Sequence, residues 1–252
     1  ASMVFKKIMN STKKNGQILL TFGDNFGIFS TKLRYLYALM IIEQNNIKSF
    51  EDKINFLSKV FKKHLFYLSK DSRKVEKWVL DNILNYEWIT KKNYFGYKEI
   101  YKNIGNDFLI KSFVPQFQTN NYWYKQMNRN KINKDIFYSH QENKINLLNF
   151  ETTFNEKTNL DTLIKLFNNN ISKLSFDNKI NLKTLNSIFN QINKISRKLK
   201  KLNPTNQISL ALDEFSQIIS KFKNNKIVPK DTKEFYKFFG RYNQSITLVR
   251  VK

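Results

Sequence analysis

At 252 residues, with 44 lysines and arginines against 20 aspartates and glutamates, the chain carries a formal charge of +24, an excess that opposes compactness unless a polyanion is its usual neighbour. It has no cysteine, which excludes disulfides and thiolate metal sites. No apolar run approaches the ~18 to 20 residues of a membrane span, so no membrane partner is expected.

Divided after Asn130, each half holds 22 basic and 10 acidic residues, so the charge is not a detachable tail. Only six of the cations are Arg, while Asn, Lys, Ile, Phe and Tyr crowd the sequence. All five have AT-rich codons, which points to an AT-rich genome such as an organelle's or a reduced bacterium's. The first acid is Asp24, so the N-terminus would suit a transit peptide, yet it lacks Arg and runs straight into patterned sequence. Residues 1–10 are therefore read as part of the mature protein.

In chain order, Gly16 to Phe22 (GQILLTF) is short, apolar and long enough for two helical turns. Gly27, between Phe26 and Ile28, is predicted to take φ > 0 so that the chain turns sharply. Ser30 and Thr31 then cap a helix that buries Leu33, Leu36, Tyr37 and Met40 on one side. Lys32 and Arg34 stand beside that helix N-terminus, where exposed amides, the helix dipole and two cations suit a phosphate. The bland alternative is plain helix entry. Ser49 caps a second helix, with Ile54, Leu57, Val60, Phe61 and Leu65 at helical spacing. A third is predicted from about Asp71 to Trp88, with Val75, Trp78, Val79, Ile83 and Tyr86 inward.

From Lys91 to Lys134 no period persists, and from Phe108 onward the cations Lys111, Lys125, Arg129, Lys131 and Lys134 meet no acid. Aromatic faces and Arg stack on bases while Lys neutralises phosphate, so this stretch reads as an arm that orders on RNA. A loop packing its aromatics on the helical domain is the other reading. Beyond it, apolar stripes predict helices over Leu160 to Phe167, Leu182 to Leu199 and Ile208 to Phe222. Asp231 to Glu234 resembles a capping box opening a short helix with Phe235, Phe238 and Phe239. Ser245 to Lys252 is β-branched and partly alternating, which suits a short edge strand.

Chemistry is sparse. His64 and His140 lie far apart in sequence, and His64, in a lysine-rich helix, reads as a solvated or RNA-facing side chain. Glu51 with Asp52 is ordinary first-turn helix chemistry. No catalytic residue, cofactor or metal is expected.

The pieces line up with one family, the thirteenth protein of the small ribosomal subunit of bacteria and organelles. Its members open with a short apolar helix, then a tyrosine-glycine-isoleucine-glycine turn and a basic helix. Ile18 to Phe22 and Phe26-Gly27-Ile28 resemble that order, with Thr31, Lys32 and Arg34 at the hydroxyl and basic positions, although Phe29 replaces the second glycine. Ile47 to Phe50 is similar to the family's link into its next helix, and Asp71, Arg73 and Lys74 to the acid and basic start of its third. Tyr94, Gly96 and Lys98 keep part of the closing tyrosine-arginine-glycine-x-arginine-histidine pattern. Val114 to Asn121, with Gln118, Thr119 and Asn121, resembles a worn version of the basic extension, with Lys125 and Arg129 as surviving charges. The likeness covers about residues 5–131; residues after about 134 carry none of it, and so long an addition suggests a mitochondrial ribosome.

The resemblance implies an all-α protein. Residues 1–90 would form a small helix-two-turns-helix domain, 91–134 an extended basic arm, and 135–252 a mainly helical extension with a short terminal strand. It also implies a structural constituent of the small-subunit head that binds rRNA, touches neighbouring head proteins, reaches a large-subunit partner in an intersubunit bridge and approaches peptidyl-site tRNA. The implied rRNA-binding residues are Gly27, Ser30, Thr31, Lys32, Arg34, Arg73, Lys74, Tyr94, Gly96 and Lys98, with Lys111, Gln118, Thr119, Asn121, Trp123, Lys125, Arg129 and Lys131 in the arm facing rRNA or tRNA. Some DNA glycosylases share helix-two-turns-helix but carry an N-terminal proline and glutamate and a cysteine zinc finger, all missing here. A structural accessory subunit of a respiratory complex is the remaining alternative.

Overall fold

The computed structural model describes residues 2–68, 73–85, 95–115, 129–156 and 158–252, the side chains of 129–131 excepted. The chain is mixed α/β and not all-α: nine α-helices and a three-stranded antiparallel sheet occur among the described residues. The helices are α1 (Ser2–Ser11), α2 (Phe29–Gln44), α3 (Phe50–Tyr67), α4 (Val75–Val79), α5 (Tyr97–Ile104), α6 (Arg129–Asn143), α7 (Asp161–Ile171), α8 (Leu182–Leu202) and α9 (Gln207–Lys223). The strands are β1 (Gln17–Phe22), β2 (Phe108–Val114) and β3 (Gln244–Arg250).

The sheet corrects the sequence reading at three places. Gln17 to Phe22, expected as a helix, is β1; its Ile18 and Phe22 face inward while Gln17, Leu19 and Thr21 face out, the period of a strand. The stretch expected as an extended arm contains α5 and β2 before residues 116–128, which lie outside the described residues. The C-terminal strand is the central one. It pairs with β1 from Gln17↔Val249 to Phe22↔Gln244, and with β2 from Phe108↔Arg250 to Val114↔Ser245, across a bulge at Lys111. The outer edge of β2 is closed by Asn133 of α6, whose amide donates to the Phe108 carbonyl (2.8 Å) and accepts from the Ile110 N–H (2.9 Å), as a neighbouring strand would.

One face of the sheet packs on α1, α5 and α6 through Phe5, Tyr97, Ile100, Ile104 and their neighbours. A larger cluster fills the rest, and it draws on α2, α3 and α4 as much as on α7, α8 and α9. At its middle runs α2, buried from Leu33 through Ile42 on every side rather than on one, as befits a helix apolar all round. Asn46, in the left-handed region at φ 52°, ends it. Ser49 caps α3 by accepting from the Asp52 N–H at 3.0 Å. Asn181 and Asn206 do the same for α8 and α9. The predicted third helix is shorter: α4 runs into a π-turn at Leu80–Leu84. The predicted capping box at 231–234 is replaced by Glu214 of α9, whose carboxylate accepts the N–H groups of Lys233, Glu234 and Phe235 (2.7 to 2.8 Å) above a single 3₁₀ turn. No helix among the described residues is long and apolar enough to cross a membrane.

Leu248→Ala, at the fully buried centre of the sheet, should cost ~2–5 kcal/mol. Leu19→Ala, on the solvent side at 71% exposure, should stay within about 0.5 kcal/mol. Equal losses in denaturant unfolding would argue for a helix over residues 17–22.

Candidate nucleic-acid interface

The turn before α2 is built by close approach. Gly27 is not in the left-handed region, where Gly105 is the one described glycine. Its missing side chain admits another backbone instead: a Cβ there would stand 2.4 Å from the Arg241 carbonyl oxygen, and one on Gly240 would stand 2.1 Å from the Gly27 oxygen. Ser30 does not cap α2, which has no side-chain cap at Ile28; its hydroxyl accepts the Gly240 N–H at 2.9 Å. Asp24 holds the turn by accepting the Phe26 N–H at 2.7 Å, and burial raises its pKa above the ordinary carboxylate value.

Lys32 and Arg34 are both fully buried, so neither of the two cations expected at the phosphate site beside this helix start reaches the surface. Burial pushes the Lys32 ammonium down to about 7. Arg34 is an internal tie. Its Nε donates to His64 Nδ1 (3.2 Å), and its two terminal nitrogens donate to the Ser30 and Tyr236 carbonyls (3.3 and 3.4 Å). Its guanidinium lies 3.6 Å from the centre of the Phe239 ring, a cation–π contact that is strong when desolvated. Burial pushes its pKa down too, yet a guanidinium stays charged at neutral pH. His64 is correspondingly a buried neutral acceptor and not the solvated or RNA-facing side chain expected; burial first, then Arg34 and Lys63, hold its pKa well below 6.5.

The other expected residues are scattered. Thr31 lines a cleft of about 600 Å³ with Trp78, Asn82, Pro115, Arg241 and Tyr242. This is where the turn region and the start of the expected arm meet. Arg241, one of its lining residues, donates to the Phe150 carbonyl at 2.6 Å. Arg73 and Lys74 are exposed ahead of α4, with Arg73 in an open pair with Asp81 at 3.3 Å. Gly96 is buried, and Lys98 is exposed on α5 beside a second cleft, of about 550 Å³, that also holds Asp24, Glu99, Lys144 and Asp161. Lys111 is exposed at the β2 bulge. Tyr94, Gln118, Thr119, Asn121, Trp123 and Lys125 lie outside the described residues, as do the side chains of Arg129 and Lys131 in α6. Among the described residues no group of three or more His, Asp or Glu is placed to hold a metal.

Sequence reasoning missed Arg241, Asn133 and Glu214. Only Arg241 had a local signal, the glycine before it in Phe238-Phe239-Gly240-Arg241; the other two act on backbone 23 to 25 and 19 to 21 residues away. No family model, no curated protein and no solved structure matches the chain.

Two outcomes check this geometry. Gly27→Ala forces backbone against backbone and should cost ~1–3 kcal/mol or more. Gly23→Ala meets only the ring end of Tyr242 and should cost less when unfolding midpoints are compared. The second concerns pH. His140, buried and bonded to Gln244 at 2.8 Å, has its pKa lowered by burial from 6.5 to about 4. The unfolded chain therefore takes up protons that the folded one refuses, and stability falls as pH drops below 6.5, levelling off for His140 near 4. Between pH 7 and 5 the His140 share is ~2 kcal/mol at ~1.4 kcal/mol per pH unit. Urea unfolding of His140→Gln should show a flatter profile over that window.

Proposed function

We propose that this protein is a structural, RNA-binding constituent of a mitochondrial small ribosomal subunit, with no reaction of its own. The observation that carries the reading is where the charge lies. Among the described residues only Lys32 and Arg34 are buried cations, so the other described lysines and arginines are at least partly exposed. Few acids neutralise them, and pairs such as Lys63–Asp231, Arg73–Asp81 and Lys200–Asp213 are substantially exposed, a setting in which an ion pair contributes little. A fold that carries so many unneutralised cations suits an RNA scaffold, where phosphate contacts supply affinity without reading sequence.

Because Gln17 to Phe22 is a strand and the Gly27 turn is internal, the surface charge supports the proposal better than the family likeness does. The partners proposed are small-subunit rRNA and neighbouring head proteins. The large-subunit bridge and an approach to peptidyl-site tRNA through the arm, residues 91–134, belong to the same proposal. AT-biased composition is what favours the mitochondrion.

The full chain should co-sediment with small ribosomal subunits at moderate salt. It should also bind small-subunit rRNA with a log–log salt slope of about −4 or steeper, at roughly −0.9 for each duplex phosphate contacted. Recovery only with an inner-membrane complex, or RNA binding indifferent to salt, would overturn the proposal.

A further inference from the structure

The outer face of α8 is charged with one sign only. Its 21 residues contain no acid and six cations: Lys183, Lys194, Arg197, Lys198, Lys200 and Lys201. The buried side is apolar, through Leu185, Ile188, Ile192, Ile195 and Leu199. On the other side Lys183, Asn186, Asn190, Lys194, Arg197 and Lys201 are all exposed, and steps of three and four residues place them in one line along the helix. At 1.5 Å per residue that line is ~27 Å long.

Cations near a helix C-terminus commonly offset the dipole, and that accounts for part of the cluster. Lys200 is taken up by Asp213 of α9 at 2.5 Å, and Lys198 donates to the Asn159 carbonyl at 3.1 Å. The dipole falls off within the last turn, however, and does not reach Lys183 or Lys194. These two, with Arg197 and Lys201, pair with no carboxylate among the described residues, although Asp213 and Glu214 stand on the neighbouring helix. Lys223 adds a further cation beside the line, 4.9 Å from the centre of the Phe189 ring.

We propose that this face of α8 is a docking surface for the phosphate backbone of double-stranded RNA, so that the part of the chain without family likeness is itself an RNA-binding element. This rests on the RNA-binding reading above. Lysine and arginine meet the phosphates, while asparagines between them can bond phosphate and ribose oxygens. Such a line of cations suits the backbone and shallow groove of an A-form duplex, which is recognised by shape. A lipid surface fits less well, because an interfacial helix needs its apolar side at the membrane and here that side is in the core.

The test compares the full chain, the triple variant Lys194→Gln/Arg197→Gln/Lys201→Gln and a control, Lys59→Gln/Lys62→Gln/Lys77→Gln, which removes three exposed cations elsewhere. The probe is an RNA duplex of about two turns, titrated across salt concentrations. The α8 variant should flatten the log–log slope by about two to three units, at roughly 0.9 for each phosphate that is no longer neutralised, while the control stays within about one unit. Both should keep the unfolding midpoint of the parent, since the side chains are exposed. An α8 variant with the parent's slope overturns the assignment, as does a control that flattens it equally. Loss of particle association with the RNA slope unchanged would overturn it in favour of an acidic protein. If the parent chain itself fails to bind the duplex, the wider proposal falls; if the parent binds and the α8 variant binds alike, only the place of contact falls.

Discussion

The fold depends on one contact between segments that are remote in sequence. The peptide of Gly27 lies against that of Gly240, and the Ser30 hydroxyl takes the Gly240 N–H across 210 residues. Around that point Phe29 packs edge-on against Phe238, with ring centres 6.2 Å apart, and Arg34 lies over Phe239. Four residues after Gly240 the chain becomes β3, the strand through which β1 and β2 are joined. Closing so long a loop costs entropy that grows only slowly with its length. The closure is therefore favourable if both sides of it bury enough, and the near-complete burial of α2 shows that they do.

This constraint explains why residues beyond 135 are not an appendage in the packing. Phe235, Phe238, Phe215 and Ile219 share one cluster with Phe29, Tyr37, Leu57 and Phe61. The Tyr37 ring stands edge-on to both Phe61 and Phe235, so the early and late helices are interleaved. Arg34 belongs to the same logic. A buried guanidinium is tolerable where acceptors and a ring face offset its desolvation, and here each of its three nitrogens donates one hydrogen bond, to His64, Ser30 and Tyr236, while Phe239 lies against the guanidinium.

Much of the helical part was legible in the sequence. The stripes of α3, α7, α8 and α9 stand where their apolar residues recur at three and four, with Ser49 as cap. The sheet was not, because each of its pairings joins segments more than 130 residues apart. Gln17 to Phe22 alternates for only six residues, too few to separate a strand from two turns of helix. Only β3, with Ile246, Thr247 and Val249, had enough β-branched character to show, and its central position could not be read locally. The phosphate reading of Lys32 and Arg34 failed for a different reason. Neighbours at a helix start suggest a phosphate, but α2 is buried on all sides from Leu33 to Ile42, which leaves a cation on it no outward face.

The chain thus separates its cations by a physical rule. Where an acceptor set could be assembled around a guanidinium, as at Arg34, burial was possible. Lys32 is the buried lysine, and there burial pushes the ammonium towards its neutral form; elsewhere the desolvation cost of a charge keeps the described lysines at least partly exposed, and the core then dictates where surface charge can collect. Helices that share the central cluster expose one side only, so a sequence without acids on that side, as in α8, becomes a continuous basic line. At +24 the folded chain repels itself, and a polyanion laid along such a line would relieve that repulsion while making the contact. Stability and binding would then draw on the same charges, and surface lysines that contribute nothing to the core would still be needed for the assembled state.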